Sequence, residues 1–320
     1  CTIGSCTVTT GWTKRGGDGS GTAPQSWASV QEIIPQMAVS GTKVYVGLGN
    51  TGSEGQVWMC DLAVACTNTT GWSIVGGGGT GSAGQSWTTG YEQVSSLVFN
   101  GTYIYVGLGL SGADSEIWRC DTAGTCNVTT GWSKIGGDGN GTPPQSWGTT
   151  GTPATTSVQR IEFIGDVLYA GLTDSTGAIS AMVWSCDVVV ACTTTTGWSN
   201  IGGNYINSSW PISGHQSIES MTVHNGNLYA GMGVTNARNA LVWEWNGSSW
   251  TLIGGQGVNS SWTPFRYETV QSMVSYQGNL YVGLGVTAGD AEVWKWNGSA
   301  WSQVGGDASG VAPQSWSTAG

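Results

Sequence analysis

Six Trp residues, Trp27, Trp87, Trp147, Trp210, Trp262 and Trp316, each close a Gly-rich stretch and each follow a Ser. In four cases a Gln comes next upstream (Gln25, Gln85, Gln145, Gln314), and Asp18, Asp138 and Asp307 sit in the Gly-rich turn before it. A flat indole beside amide, hydroxyl and carboxylate groups suits a sugar, whose C–H face stacks on the ring while its hydroxyls bond the polar atoms. The candidate ligand residues are therefore Trp27, Gln25, Asp18, Trp87, Gln85, Trp147, Gln145, Asp138, Trp210 and Trp262. Packing is the competing and favoured reading, because a Trp repeated in every unit can wedge between neighbours and large rings are usually buried.

Two further sets of residues could hold ligands. Glu32, Glu92 and Glu268, matched by Thr156 and Gln216 in the other repeats, fall where an inner strand begins. Converging carboxylates could bind Ca²⁺, which takes several oxygen ligands. A solvated mouth is the favoured alternative, so no metal and no cofactor is expected. Glu54, Asp114 with Glu116, and Asp290 with Glu292 lie on connecting loops and have the same two readings.

Catalysis needs a unique constellation, and a strict repeat does not supply one. The only histidines are His215 and His224, and the five arginines, Arg15, Arg119, Arg160, Arg238 and Arg266, occupy different repeat positions. The third repeat departs from the others through longer 149–157 and 173–181 segments and Arg160, which reads as insertion. The expectation is that the chain is not an enzyme.

Composition narrows the rest. Of 320 residues, 54 are Gly and 19 are Trp, an aromatic content that disordered chains lack. A net charge of −10, with only nine Lys and Arg, disfavours nucleic acid, whose phosphates need clustered bases. No apolar run is long enough to span a bilayer. The chain begins without Met, which reads as a processed chain or a fragment of a longer one.

The cysteines pair by spacing as Cys1/Cys6, Cys60/Cys66, Cys120/Cys126 and Cys186/Cys192, the last three as Cys-Asp-x4-Cys. In the next two repeats Trp245-Asn246-Gly247-Ser248 and Trp296-Asn297-Gly298-Ser299 stand in that place. A cystine and an Asn-Gly turn are alternative closures of one hairpin, so each pair is expected to form a local disulfide. Zinc would need four ligands at each site. Four cystines imply an oxidising, extracellular or cell-surface location. Eight Asn-x-Ser/Thr sequons, at Asn68, Asn100, Asn127, Asn140, Asn207, Asn246, Asn259 and Asn297, would be acceptors in a glycosylating host.

The elements that would position these residues follow from the period. The closing Trp returns every 52 to 63 residues, the mark of a repeat architecture. Within a repeat, an apolar run such as Val270–Val274 (strand a) leads through a Gly turn to Leu-Tyr-Val/Ala-Gly-Leu/Met (strand b). Val/Ile-Trp follows (strand c), then Trp-x-x-Ile/Val-Gly-Gly (strand d). Short β-branched and aromatic runs between Gly and Asn-Gly turns are strand and hairpin signals. Four antiparallel strands repeated in series make an all-β propeller. The reading is five complete blades over residues 28–87, 88–147, 148–210, 211–262 and 263–316. A leading c–d half-blade occupies 1–27 and a tail 317–320. Strands a and b of a sixth blade could come from a longer parent chain or a neighbouring subunit, which leaves the ring five- or six-bladed. The b–c and d–a loops share one face, the expected binding surface.

The order Val-x-x-Met…Leu-Tyr-Val-Gly-Leu…Val-Trp-x-Trp-Asn-Gly-Ser-x-Trp resembles blades of Asp-box propellers, the repeats of sialidases and related secreted proteins. The segment Asn297-Gly298-Ser299-Ala300-Trp301 lies where the Ser-x-Asp-x-Gly-x-x-Trp turn of that family would fall, without the full motif. The Gly-Gly…Trp junction is similar to that of tachylectin- and tectonin-type propeller lectins, and the whole to repeat-bearing bacterial surface proteins. Sialidase activity would imply an arginine cluster, a Tyr nucleophile and an acid, and no catalytic residue is carried over. The expected function is an extracellular, non-catalytic, lectin- or adhesin-like module binding glycan through repeated Trp-containing d–a loops, with avidity from repetition. The alternatives are a structural repeat of a cell-surface or filament protein and a secreted glycan-active enzyme. Expected partners are a glycan or a surface protein, with no nucleic acid and no membrane insertion.

Overall fold

The computed structural model describes residues 15–17, 27, 33–50, 53–64, 66, 71–77, 86–87, 93–109, 115–124, 126–127, 130–137, 147, 157–173, 181–190, 192, 197–211, 217–233, 240–263, 269–285 and 291–306. Among them are twenty strands and two single-turn 3-10 segments, Ile206–Ser208 and Val258–Ser260. No helix among the described residues is long and apolar enough to cross a membrane.

The strands come in groups of four. The first group is β1 (Ile33–Ser40), β2 (Lys43–Asn50), β3 (Ser53–Asp61) and β4 (Trp72–Gly77). The second is β5 (Gln93–Phe99), β6 (Tyr103–Gly109), β7 (Glu116–Asp121) and β8 (Trp132–Gly137). The third is β9 (Ser157–Ile164), β10 (Val167–Thr173), β11 (Met182–Asp187) and β12 (Ser199–Gly202). Then come β13 (Ser217–His224), β14 (Asn227–Gly233), β15 (Leu241–Trp245) and β16 (Trp250–Gly254). The last is β17 (Val270–Tyr276), β18 (Asn279–Leu284), β19 (Glu292–Trp296) and β20 (Trp301–Gly306). In the two four-stranded sheets, β13-β14-β15-β16 and β17-β18-β19-β20, order follows the chain and neighbours are antiparallel. This is the all-β propeller blade expected from the repeat.

Turn chemistry sets the register. Asn225-Gly226 (φ 49° and 83°) and Gln277-Gly278 (φ 47° and 74°) place two successive residues at positive φ, as a two-residue hairpin turn requires. Each c–d hairpin is closed by an Asx side chain. Asp61, Asp121 and Asp187 accept from Ala63, Ala123 and Val189 N–H at 2.9 Å. In the two Asn-Gly blades, Asn246 accepts from Ser248 and Ser249 N–H at 3.0 Å, and Asn297 accepts from Ser299 and Ala300 N–H at 2.9 Å. The first three hairpins are also bridged, by Cys60–Cys66, Cys120–Cys126 and Cys186–Cys192, with Cα atoms 5.5–5.7 Å apart. Cys1 and Cys6 lie outside the described residues.

The chain forms two compact units, residues 1–104 with 119–133 and residues 105–118 with 134–320. In the first, Trp27, Val46 and Leu48 form a buried cluster against Val44, Trp58 and Trp72. In the second, one core gathers Tyr169, Ile218, Met221, Trp210 and Trp250, and another gathers Tyr229, Val270, Leu280, Trp262 and Trp301.

Within the units, two indoles hold each sheet to its predecessor. The strand-d Trp donates its N–H to a carbonyl one repeat upstream, on strand d in the last four cases. Trp72 bonds Arg15, Trp132 bonds Val75, Trp198 bonds Ile135, Trp250 bonds Ile201 and Trp301 bonds Ile253, at 2.6–2.8 Å. The closing Trp meets the same ring edge-on, with centroids 4.9–5.3 Å apart. Such pairs contribute about 0.5–1.5 kcal/mol beyond area burial.

Candidate functional site

The structure places the closing tryptophans inside the sheet packing. Trp27, Trp87, Trp147, Trp210 and Trp262 are 0–6% exposed. Four of their indole N–H groups are spent on the start of strand c: Trp87 on Gly55 O, Trp147 on Ser115 Oγ, Trp210 on Ala181 O and Trp262 on Ala240 O. The Ser before the Trp is occupied too. Ser86, Ser209 and Ser261 Oγ accept from Gly77, Gly203 and Gly255 N–H at 3.3, 2.8 and 2.8 Å. The Ser-Trp pair is a plug that seats the Gly-Gly corner, and it leaves no ring face for a stacked sugar. Gln25, Asp18, Gln85, Gln145 and Asp138 lie outside the described residues, as do Glu32, Glu92 and Glu268. Among the described residues no group of three or more His, Cys, Asp and Glu could hold a metal ion.

Glu116 and Glu292, read from sequence as loop carboxylates, are buried at 3% and 2% exposure at the start of strand c. They accept from the N–H groups of Trp118 and Trp294, two residues on, at 2.7 and 2.6 Å. Glu116 is also ion-paired with buried Lys134. Gln56 does the same for Trp58. Where Met182 and Leu241 take that position, the N–H groups of Trp184 and Trp243 are buried without a partner among the described residues. The carboxylates therefore serve the indoles.

One constellation does break the repeat. Arg160 stands opposite Gly171, and Glu162 opposite Tyr169, on one face of β9. In the sister sheets Gln36, Ser220 and Ser272 hold the first position, and Ala38, Thr222 and Val274 the second. The sequence reading took Arg160 for part of an insertion. It is in strand register, and only the segments around it are longer.

Arg160 and Glu162 are both partly buried. Burial pushes the Glu162 carboxyl up to about 7, against the pull of Arg160 and of the Phe163 backbone N–H. Burial also opposes the Arg160 charge, while Glu219 and Glu162 support it. Arg160 donates to Gln159 O at 2.6 Å, and Glu219 on β13 accepts from the Ser217 hydroxyl. Arg160 thus feels the charge of two carboxylates, Glu162 on its own strand and Glu219 on β13. One carboxyl holds its proton near neutrality, as a general acid must.

His224 belongs to a different network. It is 1% exposed, with Nδ1 2.8 Å from Ser275 Oγ and Nε2 3.0 Å from Asn225 Nδ2. Its ring meets Tyr229, which donates to Glu244 at 2.8 Å. Burial lowers the imidazole below its ordinary value. These side chains satisfy one another and form a structural cluster.

No protein-family model matches the sequence, and no curated protein does. Solved structures match the fold. Trypanosoma rangeli sialidase aligns at a TM-score of 0.51 and 11% identity over 90% of this chain and 51% of that one. An α-L-arabinofuranosidase of Clostridium thermocellum aligns at 0.43 and 15% identity over 84% of this chain and 92% of that one. The SapL1 lectin in complex with α-methyl fucoside aligns at 0.45 and 15% identity over 83% and 76%. Likeness at this identity shows the β-propeller fold alone. The expectation that the chain is not an enzyme is corrected here: a sialidase stands among the propellers whose fold it shares, and the repeat is not as strict as that expectation required.

Proposed function

We propose that the chain is a carbohydrate-active β-propeller of an extracellular or cell-surface setting, working at the face of β9 that carries Arg160 and Glu162, with Glu219 of β13 acting on the same charge. The observation that carries this reading is the break in the repeat. A guanidinium and a carboxyl occupy strand positions that are small or uncharged in the sister sheets. A planar guanidinium donates to adjacent sugar hydroxyls and carboxylates accept from them, a set suited to a neutral glycan. Glu162 donates the proton to the departing glycosidic oxygen, and Glu219 takes a proton from the water whose oxygen bonds the anomeric carbon as that bond breaks. The three cystines support an oxidising compartment.

The test is a panel of chromogenic glycosides and a glycan array, read on wild type, Glu162→Gln and Arg160→Ser. Ser is what two sister blades carry at the Arg160 position, so the fold is kept. Glu162→Gln is expected to lower hydrolysis about 10²-fold or more while glycans still bind. Arg160→Ser is expected to weaken binding itself. Glycan turnover and binding unchanged in both variants would remove the site, and a wild type inert on both panels would remove the function.

A further inference from the structure

Three times in the second compact unit, a strand-b Tyr is packed with an aromatic side chain from the following group of strands. Phe163 meets Tyr105, with ring centroids 5.0 Å apart. Trp245 shares a buried core with Tyr169 and Ile201 and donates its indole N–H to the Tyr169 oxygen. Trp296 shares another core with Tyr229 and Ile253. Trp245 and Trp296 stand two residues beyond the strand-c Trp, a place that Cys60, Cys120 and Cys186 hold in the first three groups.

Tyr45 is the exception. It is 2% exposed and lines a cleft of about 190 Å³ inside the first compact unit. Val75, in the place of Ile201 and Ile253, lines the cleft as well, with Met59 and Lys43. The following group contributes its cystine hairpin, through Cys126 and Asn127. Where Trp245 and Trp296 carry an indole, that group has Cys120, bonded to Cys126. Among the described residues no ring but that of Tyr45 lines the cleft. It is the space of one indole, left open where a cystine closes the hairpin instead.

Size and charge narrow what could enter. An apolar cavity of about 150 Å³ takes a benzene ring, so this one has room for a fused bicycle. Asp61 sets a negative charge near the Tyr45 hydroxyl, which favours a neutral donor over an anion.

We infer that the cleft is a binding site for a small neutral aromatic molecule of the indole class. Its rings lie against Tyr45, Met59 and Val75, and its ring N–H is donated to the Tyr45 oxygen, as that of Trp245 is to Tyr169. The site uses no residue of the Arg160 face and stands whether or not the chain acts on glycans.

Calorimetric titration with indole and with 1-methylindole tests this on wild type, Tyr45→Phe and Met59→Trp. The methylated probe keeps the rings and loses the donor. Ser185, Glu244 and Lys295 hold the Met59 place opposite the strand-b Tyr, so that place takes varied side chains and Met59→Trp can fill the cleft from its own strand. Wild type is expected to bind indole about two- to tenfold more tightly than 1-methylindole, the worth of one net hydrogen bond. Tyr45→Phe should bind both probes alike, and Met59→Trp neither, with circular dichroism spectra matching wild type. If Met59→Trp does not fold, the loss of discrimination in Tyr45→Phe decides. A wild type that binds no indole, discrimination that persists in Tyr45→Phe, or binding that survives in folded Met59→Trp overturns the inference.

Discussion

Trp147 and Trp198 meet edge to face, with ring centroids 4.9 Å apart and planes at 88°. Neither indole N–H is free: one bonds Ser115 Oγ at 2.8 Å and the other Ile135 O at 2.8 Å. A ring so placed is committed to the junction. Trp147→Ala is therefore expected to lower unfolding free energy by about 3–5 kcal/mol, as truncation of a buried aromatic does. Trp198→Phe should cost about 1–3 kcal/mol, because a buried carbonyl loses its donor. Denaturant midpoints at constant slope would measure both. A Trp147→Ala protein within about 0.5 kcal/mol of wild type would return the ring to the ligand reading.

The strand-c glutamates give a graded series. Glu116→Leu removes the acceptor of Trp118 and the partner of buried Lys134, so it should cost about 3–5 kcal/mol. Glu292→Leu removes only the acceptor of Trp294 and should cost about 1–3 kcal/mol. Adding Lys134→Met to Glu116→Leu should recover most of the difference. A double variant as unstable as the single would show that the ion pair is not the source.

Glu162 sets a pH dependence whose sign is fixed. Its carboxyl is raised from an ordinary 4.5 to about 7 by burial, so between those values the folded chain holds a proton that the unfolded chain has released. Stability from this group is fully present below about pH 4.5 and is lost as pH rises towards about 7. Glu162→Gln should flatten that part of the stability profile. A profile with the same slope in both proteins would show that Glu162 does not hold the proton.

Much of the blade was legible before any coordinates. Leu-Tyr-Ala-Gly-Met at 228–232 is a short apolar and aromatic run that returns in every repeat, and Asn246-Gly247 and Cys186…Cys192 both announced a hairpin because each can close only a short loop. The side-chain roles were harder to read. Glu116 and Glu292 sit two residues before a Trp, a Glu-x-Trp spacing that carried the signal, yet the same carboxylates on a loop would look identical. Trp147 beside Gln145 and Ser146 fits a sugar shelf as well as a wedge. Burial decided between them, and burial is a property of the neighbouring repeat. Arg160 was hidden by the longer segments on either side of it, although its spacing to Glu162 is that of two residues on one strand face.

The upstream reach of the strand-d indoles bears on how the protein is made. Trp72, Trp132, Trp198, Trp250 and Trp301 each donate to a carbonyl 48 to 63 residues earlier. During translation the acceptor has therefore already left the ribosome when its donor emerges. Each newly completed blade finds its clasp waiting, and the nascent chain can assemble vectorially, one unit per repeat synthesised, without waiting for its far end.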